Sequence, residues 1–171
     1  ANIGISKSKT KYILLTNPDT KMDRLSIFKL YEAYKRYPNA AIISPLHKNS
    51  QGEVHLPTKP FFFNGTRDSL NLENIQGDCS VEHLSGAIML VDKEKILKLG
   101  SFDENFFLYY EDDDFFQKCN LLKLKLYLVT DSLFSHTKYQ KKEEKLNLHS
   151  TTFSNKDEKN STFIVGGWHG Q

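Results

Sequence analysis

The stretch Tyr12-Ile13-Leu14-Leu15-Thr16, followed directly by Asn17-Pro18-Asp19, decides the fold. A short apolar run predicts a buried β-strand, and the asparagine, proline and aspartate behind it are strong turn formers. We therefore predict a strand that ends in a turn at Asn17. A buried strand needs neighbours in a sheet, and the residues that follow supply them.

The residues after this turn predict a helix and a second strand. Apolar side chains recur about every three positions between Met22 and Tyr37, which is typical of an amphipathic helix, and Pro38 ends it. Residues 40–44 predict another buried strand, closed by Pro45. Strand, helix and strand in this order indicate an α/β fold with the two strands as parallel neighbours.

The rest of the chain continues this alternation. Residues 47–74 are rich in glycine, proline and phenylalanine, and they predict an irregular hairpin and loop. Residues 81–91 predict one strand. Residues 92–99 predict a short helix with Asp92 as its cap and Gly100 as its end.

An acidic run, Glu111-Asp112-Asp113-Asp114, stands where the next helix should begin. Alternating apolar residues predict a strand at 124–129, and Phe134-Ser135-His136 follows after a short break. From Lys138 the chain turns polar, and we expect a helix or a mobile tail over residues 138–171.

Length and composition limit the classes of protein. A chain of 171 residues predicts one domain, and 39% hydrophobic with 26% charged residues is ordinary for a globular protein. The net charge of +2 is too small to imply a nucleic-acid partner, and no run of about 18 apolar residues predicts a membrane span. Two distant cysteines are typical of a reducing cytosol. Because the first residue is alanine, we expect a piece of a longer protein.

The turn Asn17-Pro18-Asp19 is the first candidate for chemistry. Ligands of open α/β sheets bind beyond the carboxyl ends of the strands, where this turn lies. An aspartate at such a place can hold a divalent cation that also touches a diphosphate. The same three residues also make a plain turn without any ligand.

The acidic run has two interpretations as well. Either Asp113 or Asp114 caps a helix whose free backbone amides offset the repulsion among the carboxylates, or the run holds a general base. Aromatic residues flank the run on both sides, so partial burial would raise a carboxylate pKa toward the range useful for a base. His136, a lone histidine just past a strand, is either a ligand or a structural residue.

Taken together and in order, these segments resemble the family-2 glycosyltransferases, especially their rhamnosyltransferase-like branch. The match runs from about residue 2 to residue 137. It is carried by Asn2-x-Gly4, Asn17-Pro18-Asp19, Ser85-Gly86-Ala87-Ile88-Met89-Leu90, Gly100-Ser101-Phe102-Asp103-Glu104-x-Phe106-Phe107-x-Tyr109-x-Glu111-Asp112-x-Asp114 and His136.

The resemblance implies a GT-A fold, a Rossmann-like mixed sheet flanked by helices, with the family's first, nucleoside-binding strands preceding Asn2. Residues 1–137 would be the catalytic part and residues 138–171 a polar extension. The metal site, for Mg or Mn, would contain Asp19 and His136. The catalytic pair would be Glu111 and Asp112, with Asp112 as the base. The residues at the donor and acceptor would be Asn17, Ser85, Gly86 and Ala87.

The resemblance also implies a reaction. An inverting hexosyl- or deoxyhexosyltransferase would move a sugar from a nucleotide-sugar donor to a hydroxyl of a glycan or lipid-linked acceptor. The base takes the hydroxyl proton while the metal neutralises the leaving diphosphate. The expected location is the cytoplasm, with peripheral association at the inner face of the membrane left open.

Two departures from the family pattern and two alternatives stand beside this hypothesis. Asp113 occupies a position that is usually apolar, and Lys118 stands where arginine is common. The chain could instead be a non-catalytic relative that binds sugar or nucleotide. A two-metal phosphoesterase is disfavoured, because such enzymes draw carboxylates from several strand ends and these acids are consecutive.

Overall fold

The computed structural model describes residues 1–48, 54–55, 76–106, 110–136 and 161–165. The helices are α1 (Asn2–Lys7), α2 (Arg24–Arg36), α3 (Lys93–Lys98) and α4 (Glu111–Leu121). The strands are β1 (Tyr12–Thr16), β2 (Thr20–Met22), β3 (Ala40–Lys48), β4 (Val54–His55), β5 (Cys79–Val81), β6 (Ile88–Asp92), β7 (Lys125–His136) and β8 (Ser161–Val165).

These strands form one mixed sheet in the order β2-β7-β3-β6-β1-β8, with β4 added on β3 and β5 on β7. Strand β6 runs antiparallel to both β1 and β3, whereas β3 with β7 and β1 with β8 are parallel pairs. The predicted α/β sheet is confirmed. The prediction that the first two strands are parallel neighbours is wrong, because β6 lies between β1 and β3. Local sequence predicts a strand's existence but not the partner it pairs with.

The sheet is buried on both faces, and β1 shows why its sequence is apolar throughout. Ile13 and Leu15 belong to one core cluster with residues of α3 and α4, such as Phe115. Leu14, pointing the other way, belongs to a second cluster with Tyr34 of α2. Each such buried side chain stabilises the fold by about 1.5–3 kcal/mol. Because helices cover both faces, the strand cannot alternate between apolar and polar residues.

The helix boundaries follow from local capping. Asp23 begins α2, where its carboxylate accepts the Ser26 N–H at 2.6 Å. Asp92 begins α3, accepting the Glu94 N–H at 3.1 Å, as predicted. Gly100 has a φ of +88°, a backbone conformation that favours glycine and ends the helix. The helix at Asn2–Lys7 was not predicted from the sequence.

The long strands β3 and β7 depart from the prediction. Pro45 does not end β3, which continues to Lys48, and the expected break in β7 is absent. Instead the ladder jumps: Pro45 pairs with Val129, and Leu46 pairs with Leu133, so residues 130–132 bulge out of the pairing. Proline has no backbone N–H to donate to a neighbour, which is a physical reason for the irregularity at this point.

The segment 81–91 is also different, because it contains parts of two strands. Strand β5 ends at Val81 on the far side of the sheet, and β6 begins at Ile88 between β1 and β3. A connection that crosses the sheet separates them, and it contains Gly86. This connection, rather than the middle of a strand, reaches the candidate site.

Two remaining expectations fall partly on described residues. Strand β4 pairs antiparallel with the end of β3, which confirms a hairpin at the start of segment 47–74, while most of that segment lies outside the described residues. In the expected extension 138–171, residues 161–165 form β8, parallel to β1, so a helix is wrong there. The rest of the extension lies outside the described residues, and its separation from the catalytic part stays a prediction.

Candidate functional site

The turn after β1 and the segment before β6 are joined directly. The backbone N–H of Asn17 donates to the carbonyl oxygen of Ala87 at 2.8 Å. The backbone N–H of Ala87 in turn donates to the Ser85 hydroxyl at 3.3 Å. Residues that the sequence placed seventy positions apart therefore lie side by side at the end of β1.

Asp19 lies half-buried in a turn that is held by its own neighbours. The Thr20 hydroxyl donates to the Asn17 carbonyl oxygen at 2.7 Å. Thr20 then begins β2, where it pairs with His136 of β7. Asp19 immediately precedes β2, so it is the chain neighbour of the residue that pairs with His136, although the two are far apart in the sequence.

Asp112 packs against the backbone of Gly86. An ideal Cβ built on Gly86 would lie 2.1 Å from Oδ2 and 2.8 Å from Cγ of Asp112, much closer than real Cβ atoms approach. A side chain at position 86 is therefore incompatible with the observed position of the carboxylate. The structure brings Gly86, Asp112 and the Asn17 turn into one group.

Opposing influences act on the Asp112 carboxyl. Burial raises its pKa above the ordinary value. Hydrogen bonds from the backbone amides of Asp113, Asp112 itself and Gly86, together with the charge of His83, oppose this rise. The Asp113 N–H donates to Oδ1 at 3.0 Å. The result is a carboxylate that is held in one orientation and is more basic than an exposed aspartate.

The acidic run forms the first turn of α4, so it lies inside the helix rather than at the predicted cap position. Helix α4 begins at Glu111, and the N-cap is Tyr110, with a φ of 68° and no side-chain capping hydrogen bond. Neither Asp113 nor Asp114 caps the helix, because both already lie within it. The free backbone amides of the first turn still favour these negative charges.

The two acids after Asp112 differ in environment. The pKa of Asp113 is raised to about 6 by burial and by the charges of Asp112 and Glu111. Asp114 instead pairs with Lys118 at 2.6 Å, one turn further along α4. Lysine thus forms an ion pair where arginine is common in the family.

Two residues that pack around the candidate site were not assigned a contact from the sequence. The side-chain amide of Asn2 donates to the Phe102 carbonyl at 2.8 Å and to Glu104 Oε1 at 3.0 Å, and its oxygen accepts the Phe102 N–H at 3.1 Å. Phe102 then stacks on Phe115 of α4 with ring centroids 4.7 Å apart. The Asn2-x-Gly4 motif was the available signal for this contact.

The second missed residue is His83. It is only 6% exposed, in the connection between β5 and β6, and its ring meets Phe116 edge-on with centroids 6.4 Å apart. Nothing in the sequence distinguishes it from a histidine in an ordinary strand. Only the packing of this connection against α4 reveals it.

Comparison with curated proteins finds glycosyltransferases. The chain is 28% identical over 120 residues to N-acetylglucosaminyl-diphospho-decaprenol L-rhamnosyltransferase of Mycobacterium tuberculosis, covering 60% of this chain and 39% of the relative. It is 27% identical over 146 residues to rhamnosyltransferase WbbL of Escherichia coli, covering 75% and 55%. It is 29% identical over 125 residues to low-salt glycan biosynthesis hexosyltransferase Agl10 of Haloferax volcanii, covering 67% and 39%. The chain therefore spans about two fifths to just over half of these relatives.

The fold agrees with the sequence comparison. The chain superposes on GalNAc-T7, solved with UDP, GalNAc and Mn2+, with a TM-score of 0.63 at 14% identity, covering 79% of this chain and 29% of that one. This likeness shows the GT-A fold. No protein-family model matches the chain. The chain is therefore similar in sequence to rhamnosyl- and hexosyltransferases and similar in fold to a GT-A glycosyltransferase.

Among the described residues there is no group of three or more His, Cys, Asp or Glu side chains placed to hold a metal ion. The same part of the chain also contains no helix that is long and apolar enough to cross a membrane. The pairing of β2 with β7 joins Thr20, the residue after Asp19, to His136.

Proposed function

We propose that this chain is the catalytic part of an inverting glycosyltransferase that moves a sugar from a nucleotide-sugar donor to an acceptor hydroxyl. The observation that carries the proposal is the packing of Asp112 on Gly86, in the segment that is hydrogen-bonded to the Asn17 turn. A carboxylate in this position lies beside the strand end where ligands of α/β sheets bind. The glycosyltransferase relatives and the GT-A fold support it.

Asp112 is the proposed base. Its backbone hydrogen bonds fix the carboxylate, and burial raises its pKa, so it is a better proton acceptor than an exposed aspartate. It takes the proton of the acceptor hydroxyl as that oxygen attacks the anomeric carbon. One displacement inverts this carbon, so no carboxylate nucleophile is needed. The adjoining Glu111 belongs to the same helical turn and adds negative charge at the acceptor side.

Asp19 and His136 are the proposed metal ligands on the donor side. Asp19 directly precedes Thr20, which pairs with His136 across β2 and β7, and this supports a shared ion, since carboxylate and imidazole are both common ligands of divalent metals. Mg is often held by one or two protein carboxylates plus substrate phosphates, so a small protein donor set is consistent with this role. A bound divalent metal would neutralise charge on the leaving nucleoside diphosphate. Asn17, Ser85 and Ala87 are the proposed contacts of the donor and acceptor beside it.

We also propose the class of acceptor and its place in the cell. The name of the Mycobacterium tuberculosis relative describes a lipid-linked sugar diphosphate, and that of the Haloferax volcanii relative describes glycan synthesis. A glycan or lipid-linked hydroxyl is the corresponding acceptor here. Such a reaction would take place in the cytoplasm, at the inner face of the membrane.

The test is a transfer assay on the full-length protein with uridine, guanosine and thymidine diphosphate sugars, with and without Mg or Mn. We expect metal-dependent transfer from one donor, with the product's anomeric configuration opposite to the donor's by NMR. Asp112→Asn should lower transfer by about 10²- to 10⁴-fold, the usual contribution of a general base, while donor binding is retained.

The matched control is Asp114→Asn, which removes a carboxylate from the same helical turn but breaks only the pair with Lys118. It should keep transfer within a few-fold of wild type. Normal transfer by Asp112→Asn would show that the base is wrongly assigned. Donor binding without any transfer by the wild-type protein would instead favour a non-catalytic relative.

A further inference from the structure

His83 is a buried imidazole that the proposed mechanism does not use. It is 6% exposed and lies in the connection between β5 and β6, followed by the equally buried Leu84. Burying a titratable ring costs desolvation free energy. An apolar side chain would fill the same space without that cost. The position of the ring therefore calls for a specific partner.

The connection that contains His83 packs on α4. The His83 ring contacts Phe116, and three residues later Gly86 lies against Asp112. Phe116 and Asp112 are four residues apart in α4, so they share one face of the helix, about one turn from each other. Residues 83–86 therefore lie along the face of α4 that carries the base, and the imidazole contacts a residue one helical turn from Asp112.

The charged groups beside Asp112 on its own helix are negative. On α4 itself these are Glu111 and Asp113, the carboxylates on either side of it. Asp114 is paired with Lys118. From the connection packed on α4, His83 in its protonated form lowers the pKa of Asp112. A positive charge on this side offsets the repulsion within the acidic run.

We propose that His83 is a positioning residue for Asp112, whose imidazole holds the 83–86 connection on α4 and balances the negative charge around the base. Its packing on α4 is independent of the proposed function, whereas its effect on transfer rests on that function. The positive form of His83 lowers the pKa of Asp112. Removing it should raise that pKa, so that the base becomes protonated at a higher pH and transfer is lost earlier on the acid side.

The direct test is NMR titration of the full-length protein with carbon-13-labelled aspartate. His83→Gln removes the charge, and His83→Phe keeps an aromatic ring on Phe116. In both variants the Asp112 midpoint should move to higher pH by about half a pH unit or more, as expected for a lost charge at this range. Glu82→Gln, at the exposed residue next to His83, is the control and should leave the midpoint unchanged. An unchanged midpoint in the two folded His83 variants would overturn the proposal.

A reciprocal measurement leaves His83 in place, in case its replacement unfolds the protein. In Asp112→Asn, the titration midpoint of the His83 ring should fall, because a neighbouring negative charge no longer stabilises the imidazolium. An unchanged His83 midpoint would also overturn the proposal, since coupling between two groups is mutual.

Transfer kinetics separate this proposal from the proposed function. If the two groups are coupled by NMR but the wild-type protein transfers no sugar, the coupling stands and the function is wrong. If transfer depends on Asp112, the acid limb of the rate profile for His83→Gln should move to higher pH, with the donor KM unchanged. An unmoved acid limb would leave the function intact and refute the role of His83.

Discussion

Replacing Gly86 by alanine places a methyl group where the Asp112 carboxylate now lies. The added Cβ would be 2.1 Å from Oδ2, whereas ordinary van der Waals contact begins at 3.4 Å. The carboxylate therefore has to withdraw by about 1.3 Å, since the dispersion and repulsion between such atoms set that minimum separation. The φ of Gly86 is not in the positive range, so alanine adds no backbone strain there.

The withdrawal should affect the rate more than the fold. Overpacking by one methyl group costs about 1–3 kcal/mol of stability. A misplacement of about 1 Å at a reacting group costs about 10²-fold in rate. We expect Gly86→Ala to remain folded, to bind the donor normally, and to transfer about 100-fold more slowly than wild type, measured by steady-state transfer and thermal denaturation.

The control for this substitution is Gly77→Ala. Gly77 has a φ of +79° and nothing within 4 Å of an added Cβ, so alanine there brings backbone strain without a clash. It should cost about 1–2 kcal/mol of stability and leave transfer unchanged. In an Asp112→Ala background the stability cost of Gly86→Ala should shrink, because the clashing carboxylate is gone. Wild-type transfer by Gly86→Ala would refute the reasoning, as would an undiminished cost in the double variant.

Three further predictions concern the surroundings of the base. Asp19→Ala should weaken metal-dependent donor binding by about 10- to 100-fold in calorimetric titration. Asp131→Ala, at a surface ion pair with Lys29, is the control and should leave donor binding unchanged. Equal donor binding by the two variants would contradict the metal role of Asp19. Asn2→Ala should cost about 1–3 kcal/mol and increase hydrogen exchange at residues 102–104, and normal protection there would contradict the proposed tie to α1. Asp113→Asn should stabilise the protein at pH 8 but not at pH 4 in thermal denaturation. The reason is that the folded pKa of Asp113, about 6, lies above its usual 3.8, so its ionisation penalises the folded state as pH rises through 6; an equal difference at both pH values would contradict this.

Much of the candidate site could be predicted from residue types in order, without knowledge of the fold. The Asn17-Pro18-Asp19 turn and the acidic run were singled out because turn formers and clustered carboxylates are informative on their own. His83 was not, since a single histidine in a strand-like stretch has no pattern. Its importance depends on which helix the connection between β5 and β6 crosses.

The sequence by itself determined the local elements: strand β1, helix α2 with its end near Pro38, and the Asp92 cap of α3. Each depends on interactions among residues a few positions apart, which the order of side chains specifies. Only the tertiary structure decided that β6 separates β1 from β3, that β3 passes through Pro45, and that Gly86 meets Asp112. These outcomes depend on which distant segments share a core, and the free energy of that packing is a property of the whole chain rather than of any short stretch.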